Sequence, residues 1–430
     1  MTDPRKFRHF LAISALLMAL IVSATVPGAS AKSEVEHGRN PNQGTRFYVP
    51  KPNRGALEQI VDLIKDRQRE DAKLIGRMIV TPQAVWFTAG TPKSVKQDVR
   101  KIVKLAAAQR AVPILVAYNI PFRDCAQFSA GGATTVEEYQ AWIDGFAAGI
   151  GNAKAVVILE PDGLGIIPWY KQFRGTSAEA AGYEWCQPAE ANEATAADER
   201  FAMMNYAVDA LKAHPNVSLY LDGTHSSWLG SGDAAHRLIQ AGVDRADGFF
   251  LNVSNYRFTE HLVKYGQWIS DCIYLSQNSW WQVEWCASQY FPANPNDFST
   301  WGLSDAAYDQ AFADTGLTRN PAEQAHFVID TSRNGQGPWT PTASYPDPQD
   351  WCNPPGRGLG LRPTADTGNP LIDAYLWVKI PGESDGECTR GLGPGGETVD
   401  PEWGLIDPAA GAWFPEMALD LVHNANPPLP

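Results

Sequence analysis

The sequence predicts an α/β fold, as an α/β barrel or a wide open α/β sheet, and three observations carry that expectation. Short apolar runs rich in β-branched residues alternate about seven times with segments of helical period. The runs are apolar throughout rather than at every second residue, as parallel strands are when helices cover both faces of a sheet. Polar and charged residues gather just beyond the C-terminal ends of these runs, the end at which such folds place their chemistry.

The predicted strands are, in order, Met78-Ile79-Val80, Val112 to Ala117, Ala155 to Leu159, Val217 to Leu221, Phe249 to Val253, Phe327-Val328-Ile329 and Ala374 to Val378. Helical spacing runs through Leu57/Ile60/Val61/Ile64, Val99/Ile102/Val103/Ala106, Trp142/Ile143/Phe146/Ile150 and Phe201/Met204/Val208/Leu211. Ser94 with Gln97, Thr135 with Glu138 and Thr195 with Asp198 resemble the capping pattern that satisfies free N–H groups at a helix entrance. Long loops rich in Gly, Pro and Trp follow the later strands, at Ser270 to Gly302, Gly335 to Pro370 and Gly382 to Ala412, and loops of that length usually form walls or lids.

Residues 1–31 carry Arg5, Lys6 and Arg8, then an apolar run from Phe10 to Val26, then Ala29-Ser30-Ala31, and predict a cleaved secretory leader. Residues 32–430 then form a single domain, with no repeat or linker in view. The leader's charge is +2 (Arg5, Lys6 and Arg8 against Asp3), so the whole chain's -13 becomes -15 without it. That acidity, with no basic tract, excludes nucleic acid and anionic membrane as partners; a monomer is expected, and the leader predicts action outside the cell. Six cysteines in an exported chain, none in a C-x-x-C pair, predict disulfides rather than zinc, in a pairing the sequence leaves open. Fifteen tryptophans exceed what a core of this size needs, and flat rings stack on the C–H faces of sugars.

Hydrolysis of a glycosidic bond needs an acid at the leaving oxygen and a base or nucleophile opposite, and paired carboxyl groups supply both. Asp162 is the leading acid: it leaves the strand Ala155 to Leu159 in the stretch Glu160-Pro161-Asp162-Gly163, where Pro161 stiffens the exit and Gly163 permits a close turn. On that local pattern alone a turn aspartate fits as well. Asp124 lies in Tyr118-Asn119-Ile120-Pro121-Phe122-Arg123-Asp124-Cys125, where the neighbouring Arg123 can hold it ionised. Asp385 lies in Lys379-Ile380-Pro381-Gly382-Glu383-Ser384-Asp385-Gly386. That stretch also fits the G-x-S-x-G elbow of serine hydrolases, but no helical period follows Ser384. Histidines are scattered and H-E-x-x-H is missing, so neither metal nor other cofactor is expected.

The blocks Tyr118 to Cys125, Ile158 to Asp162, Leu221 to His225 with Trp228-Leu229-Gly230, Asn252 to Tyr256, Asp330 to Gly335, Trp351-Cys352-Asn353 and Trp377 to Gly386 occur in the order of the signature blocks of glycoside hydrolase family 6, which the chain closely resembles. The resemblance implies a distorted seven-stranded parallel β/α barrel, with active-site loops at the C-terminal strand ends, that attacks β-1,4-glucan with inversion and binds cellulose or cello-oligosaccharides. It makes Asp162 the general acid, Asp124 the residue that tunes it and helps relay the water's proton, and Asp385 the base. Tyr118 matches the ring that distorts the reacting glucose, and Arg123 and Arg333 match arginines that steer the carboxylates. Trp228 and Trp351 match stacking platforms; Asp222, His225, Asn255, Lys379 and Glu383 match contacts to hydroxyls. The family's disulfides map to Cys125–Cys186 and Cys352–Cys388, which leaves Cys272 and Cys286 to each other in an insertion outside the family pattern. Two features depart from it: the serine beyond Asp124 falls at Ala130 or Ser129, and the tryptophan near the first strand has no counterpart around Tyr48 to Asn53.

Within the family, long loops roof the cleft, and Gly163 to Cys186 and Glu387 to Ala412 are both long, which predicts a cellobiohydrolase working from non-reducing ends, with an endoglucanase as the alternative. A non-catalytic glucan-binding protein and a retaining glycosidase of another family are the rivals.

Overall fold

A computed structural model describes residues 41–171, 173 and 182–430. The leader expected over residues 1–31 lies outside the described residues, as do residues 172 and 174–181 of the loop Gly163 to Cys186.

Seven strands lie side by side in chain order, every neighbouring pair parallel. They are β1 (Val85–Phe87), β2 (Ile114–Ala117), β3 (Ala155–Leu159), β4 (Val217–Asp222), β5 (Gly248–Leu251), β6 (His326–Asp330) and β7 (Ile372–Leu376). Around them run the helices α1 (Arg54–Lys65), α2 (Arg69–Ile79), α3 (Pro92–Ala108), α4 (Val136–Ile150), α5 (Ala196–Lys212), α6 (Ser231–Gln240), α7 (Thr259–Asn278), α8 (Gly302–Thr315) and α9 (Pro415–His423). The sheet curls until its edges nearly meet. The Ala84 N–H donates to the Trp377 carbonyl at 2.9 Å, and the Trp86 indole to the Val378 carbonyl at 2.8 Å.

Curling explains the continuous apolar runs. Ile114, Val116, Val156, Ile158, Tyr220, Phe250 and Val328 point into the barrel and pack on one another. Their neighbours Leu115, Ala117, Val157, Leu159, Leu221, Phe249 and Ile329 point outward beneath α3 to α8. Both faces are dry, so alternation disappears. A further cluster joins α1, α2 and α9 over Trp377 and Phe414. Among the described helices none is long and apolar enough to cross a membrane.

Four expectations are corrected. Met78-Ile79-Val80 is no strand: Met78 and Ile79 end α2, where they are buried with Ala72 and Ile75 at helical spacing. The first strand is Val85–Phe87, only three residues long. Helix α3 is capped by Thr91, which exchanges bonds with Ser94 in a capping box, so Ser94 lies inside the helix rather than at its cap. Thr135 does cap α4, accepting from the Glu138 N–H, whereas the Thr195 hydroxyl, at the cap position of α5, turns to Glu199 instead. Finally, Ser270 to Asn278 continue α7, so the loop there begins at residue 279.

Candidate active site

The strand exits converge on a cleft of about 620 Å³. Backbone strain concentrates there: Phe122, Asp124, Cys125, Glu160, Asp162, Thr224, Asn252 and Ser254 all hold positive φ. Left-handed non-glycine residues cost on the order of 1–3 kcal/mol each and persist where the surroundings enforce them. Three buried carboxylates and one arginine do so here. Glu160 turns away from the cleft and accepts the N–H groups of Asn119 and Ile120, tying the exit of β2 to that of β3. Asp222 accepts from Thr224 at 2.8 Å, Gly165 at 3.1 Å and Leu164 at 3.2 Å, which fixes the loop carrying Asp162. Asp330 accepts from Ser332, Val378, Lys379 and Ser254, joining the exits of β5, β6 and β7. The buried Arg200 of α5 donates to the carbonyls of Pro121, Gly163 and Ile166.

Close approach sets two glycines in the acid loop. A Cβ on Gly163 would meet the Glu160 carbonyl oxygen at 2.6 Å, and one on Gly165 would meet the Trp228 ring at 2.5 Å. The loop therefore lies flat against one of the aromatic walls.

Asp162 faces the cleft, and no described residue hydrogen-bonds its carboxyl group. Burial, followed by the negative charges of Asp222, Asp124 and Asp385, raises its pKa well above its ordinary value, which favours the protonated form. Asp124 is raised to about 6, chiefly by burial, against the Ser129 N–H that donates to it at 2.7 Å and the charge of Arg123. Asp385 goes the other way. Burial alone would raise it, but the charges of Arg333 and Lys379 outweigh burial and hold it below its usual value. Arg333 Nη1 donates to Asp385 Oδ2 at 2.9 Å, the Tyr256 hydroxyl lies at 3.1 Å, the Asn353 N–H at 3.0 Å, and Lys379 Nζ sits 3.2 Å from Oδ1. One carboxyl kept protonated and another kept ionised is the division of labour that acid and anion roles require.

Asp124, Asp162, Asp385, Tyr118, Arg123, His225, Trp228, Asn255, Trp351, Lys379 and Glu383 all line the cleft. Asp222 and Arg333 do not: both are buried beneath it, holding loop and carboxylate in place. Arg123 departs from its expected pairing with Asp124. Its guanidinium donates to the carbonyls of Thr88, Tyr118, Ser129 and Ala130 and lies 4.5 Å over the Tyr118 ring, and its charge offsets only part of the burial that raises Asp124. Ser129 meets Asp124 through its backbone N–H. Glu383 accepts from the Asn53 side chain at 2.8 Å.

Sequence reasoning missed Trp86, Trp185, Phe128, Arg257 and Asp350, which also line the cleft. Trp86 meets Tyr118 edge-on at 5.4 Å, and its signal was the Val85-Trp86-Phe87 run itself, passed over in favour of Met78 to Val80. Asn353 is a further support of the site. It clamps Asp385 by accepting its N–H at 2.7 Å, and its side-chain amide reaches the buried Asp407 at 2.8 Å.

Ser384 is wholly buried, donates to the Pro408 carbonyl and precedes no helix, which removes the nucleophile-elbow reading. The disulfides are Cys125–Cys186, Cys272–Cys286 and Cys352–Cys388; the first and last are those the resemblance implied, and the second joins the two cysteines left over. The first joins the loops after β2 and β3, and the last joins the β6 to β7 connection to the loop after β7. Among the described residues no three His, Cys, Asp or Glu side chains are grouped to hold a metal ion.

The family model for glycosyl hydrolases family 6 matches residues 42–425. An endoglucanase A from Thermobispora bispora is 32% identical over 428 residues, covering 98% of this chain and 71% of that one. A probable 1,4-β-D-glucan cellobiohydrolase C from Neosartorya fischeri is 29% identical over 372 residues, covering 80% and 70%. Among solved structures, an endoglucanase from Mycobacterium tuberculosis in complex with methyl-cellobiosyl-4-deoxy-4-thio-β-D-cellobioside superposes with a TM-score of 0.62 at 33% identity, covering 90% of this chain and 99% of that one.

Proposed function

Because the chain belongs to glycosyl hydrolase family 6, a family of cellulases, we propose that it hydrolyses β-1,4-glucosidic bonds of cellulose with inversion and releases cellobiose from non-reducing chain ends. The observation that carries the chemistry is the pair of carboxyls in one cleft, Asp162 without a hydrogen-bond partner among the described residues and Asp385 held by Arg333 and Lys379.

Asp162 gives its proton to the glycosidic oxygen as that bond to C1 breaks. Water attacks C1 from the other face of the ring, its oxygen forms the new bond, and one of its protons must leave. Asp385, held low by Arg333 and Lys379, is matched to stabilising the positive charge that develops at C1 more than to taking a proton. Asp124, at about 6, is matched to proton uptake through an intervening water. Tyr118, wedged between Arg123 and Trp86, presents a fixed ring against the reacting sugar, while Trp228, Trp351, His225, Asn255, Lys379 and Glu383 line the track. The expected leader and three disulfides support action as a secreted protein on extracellular glucan.

Two long, disulfide-tied loops flanking the cleft support chain-end attack: Trp185 lines it from one, Ala410 and Gly411 from the other. Internal cutting is the second reading, favoured by the endoglucanase names of the Thermobispora and Mycobacterium relatives. Viscosity of carboxymethylcellulose against reducing sugar released separates them. Chain-end attack yields cellobiose with little loss of viscosity, and an early collapse of viscosity with little cellobiose contradicts it.

The rate is expected to follow a bell in pH. It rises as Asp124 loses its proton through about 6 and falls at higher pH, where Asp162 loses its own. Values of kcat/KM on a soluble cello-oligosaccharide, measured from roughly pH 4 to pH 9, check this. A rate that keeps climbing with pH contradicts an acid role for Asp162.

A further inference from the structure

Away from the cleft, large exposed aromatic side chains concentrate on the insertion between α7 and α8, residues 279–301. Trp280 is 57% exposed, Trp285 46%, Tyr290 44% and Phe291 80%. Trp280, Trp281 and Trp285 form a triangle with ring centroids 5.6 to 5.9 Å apart. Exposed aromatic surface of this kind is unfavourable in water unless something covers it.

The insertion is firmly held without those rings. The Cys272–Cys286 disulfide ties it to α7. Ser231 and Tyr308 donate to the Ala287 carbonyl, Ser304 to that of Ser288, and Gln289 to that of Leu229. The platform is therefore rigid, which limits the entropy lost when a ligand lands on it.

It also adjoins the cleft. The Tyr290 hydroxyl donates to the carbonyl of Trp228, a cleft-lining residue, at 3.1 Å. Along the entrance of α6, a Cβ on Gly230 would lie 3.8 Å from the Tyr290 ring, and one on Gly232 would lie 3.4 Å from the Cβ of Cys286, next to Trp285. The insertion thus packs on the entrance of α6, directly after Trp228.

Composition selects the occupant. Residues 279–301 hold seven aromatics, two acids (Glu284 and Asp297) and no Lys or Arg, the remainder being mostly amide, hydroxyl and small side chains. Flat rings among neutral hydrogen-bonding groups suit an uncharged polyhydroxylated chain, and without cations they offer nothing to phosphate or anionic lipid.

We propose that the insertion 279–301 is a second glucan-binding platform, continuous with the cleft at Trp228, on which Trp280, Trp285 and Phe291 hold a β-1,4-glucan chain outside the site of cleavage. This rests on the glucan specificity proposed above, and the experiment separates the two. Wild type, W280A/W285A and F291A are compared by depletion binding to microcrystalline cellulose, by kcat/KM on cellotetraose and by thermal melting, with W285Y as the conservative variant. The expected result is cellulose affinity reduced about tenfold in W280A/W285A, less in F291A, and retained in W285Y, with cellotetraose turnover and melting unchanged. Wild-type cellulose binding in W280A/W285A overturns the platform, as does a parallel loss of cellotetraose turnover or of the folded state in both W280A/W285A and F291A. A wild type that cleaves no cello-oligosaccharide overturns the parent reading instead.

Discussion

Asp162→Ala is expected to leave a folded protein that still binds cello-oligosaccharide but turns over unactivated cellulose at least about 10²- to 10⁴-fold more slowly. The glucosyl leaving group is an alkoxide unless it is protonated as the bond breaks, and Asp162 is the carboxyl that burial and three neighbouring negative charges keep in its acid form. A substrate whose leaving group needs no proton, such as a dinitrophenyl cellobioside, is expected to recover most of that loss. Stability should move in the opposite direction to activity. A carboxyl whose pKa is raised on folding contributes stability that is complete below its unfolded pKa and is lost as pH rises through the folded value. Asp162→Asn, which cannot ionise, should therefore melt above wild type at neutral pH, and the gap should close below roughly pH 4. Melting curves at the two pH values, beside kcat on both substrates, check each part.

Arg333→Met is expected to have the largest effect on stability. The guanidinium is wholly buried; it donates to Asp385 at 2.9 Å and to the Ser254 carbonyl at 2.7 Å, and it lies 4.4 Å over the Tyr256 ring. Removing it leaves a buried carboxylate with Lys379 as the one remaining cation within ion-pair distance among the described residues, a change that costs about 3–5 kcal/mol when a buried pair is broken from one side. The dependence on pH distinguishes this from mere loss of packing. Because Asp385 is held below its usual value, it contributes stability that is present above roughly pH 4 and lost as pH falls through its folded value. In Arg333→Met that contribution is gone, so the deficit against wild type should shrink in acid. Denaturation at neutral and acid pH, with kcat measured at neutral pH, reads both effects.

The strand Ala155–Leu159 was legible in the sequence to the residue, because an unbroken apolar run ending at Glu160-Pro161-Asp162 admits few other readings. The same rule misled at Met78-Ile79-Val80, since three apolar residues fit the buried stripe of a helix end as well as a strand. Strand Val85–Phe87 was too short to show a pattern, and Trp86 was lost with it. The cleft positions of Asp124, Asp162 and Asp385, the carboxyls proposed to do the chemistry, were legible through their place at strand exits. Their supports were not: Glu160, Asp222 and Asp330 bind backbone N–H groups of loops distant in sequence, as does Arg200 with carbonyls, and only the curled sheet brings those partners together. Arg123 shows the converse. Adjacent to Asp124 in sequence, its side chain turns to backbone carbonyls, because side-chain partners are set by the fold rather than by adjacency.

Inversion at the anomeric carbon is the central claim, and a proton NMR time course of cellotetraose hydrolysis tests it most directly. Water attacking opposite to Asp162, with no covalent glucosyl intermediate, must release the new reducing end as the α-anomer, which then drifts toward its equilibrium with the β-anomer. Early accumulation of the α-anomer is the result expected of this site, and early accumulation of the β-anomer would contradict it.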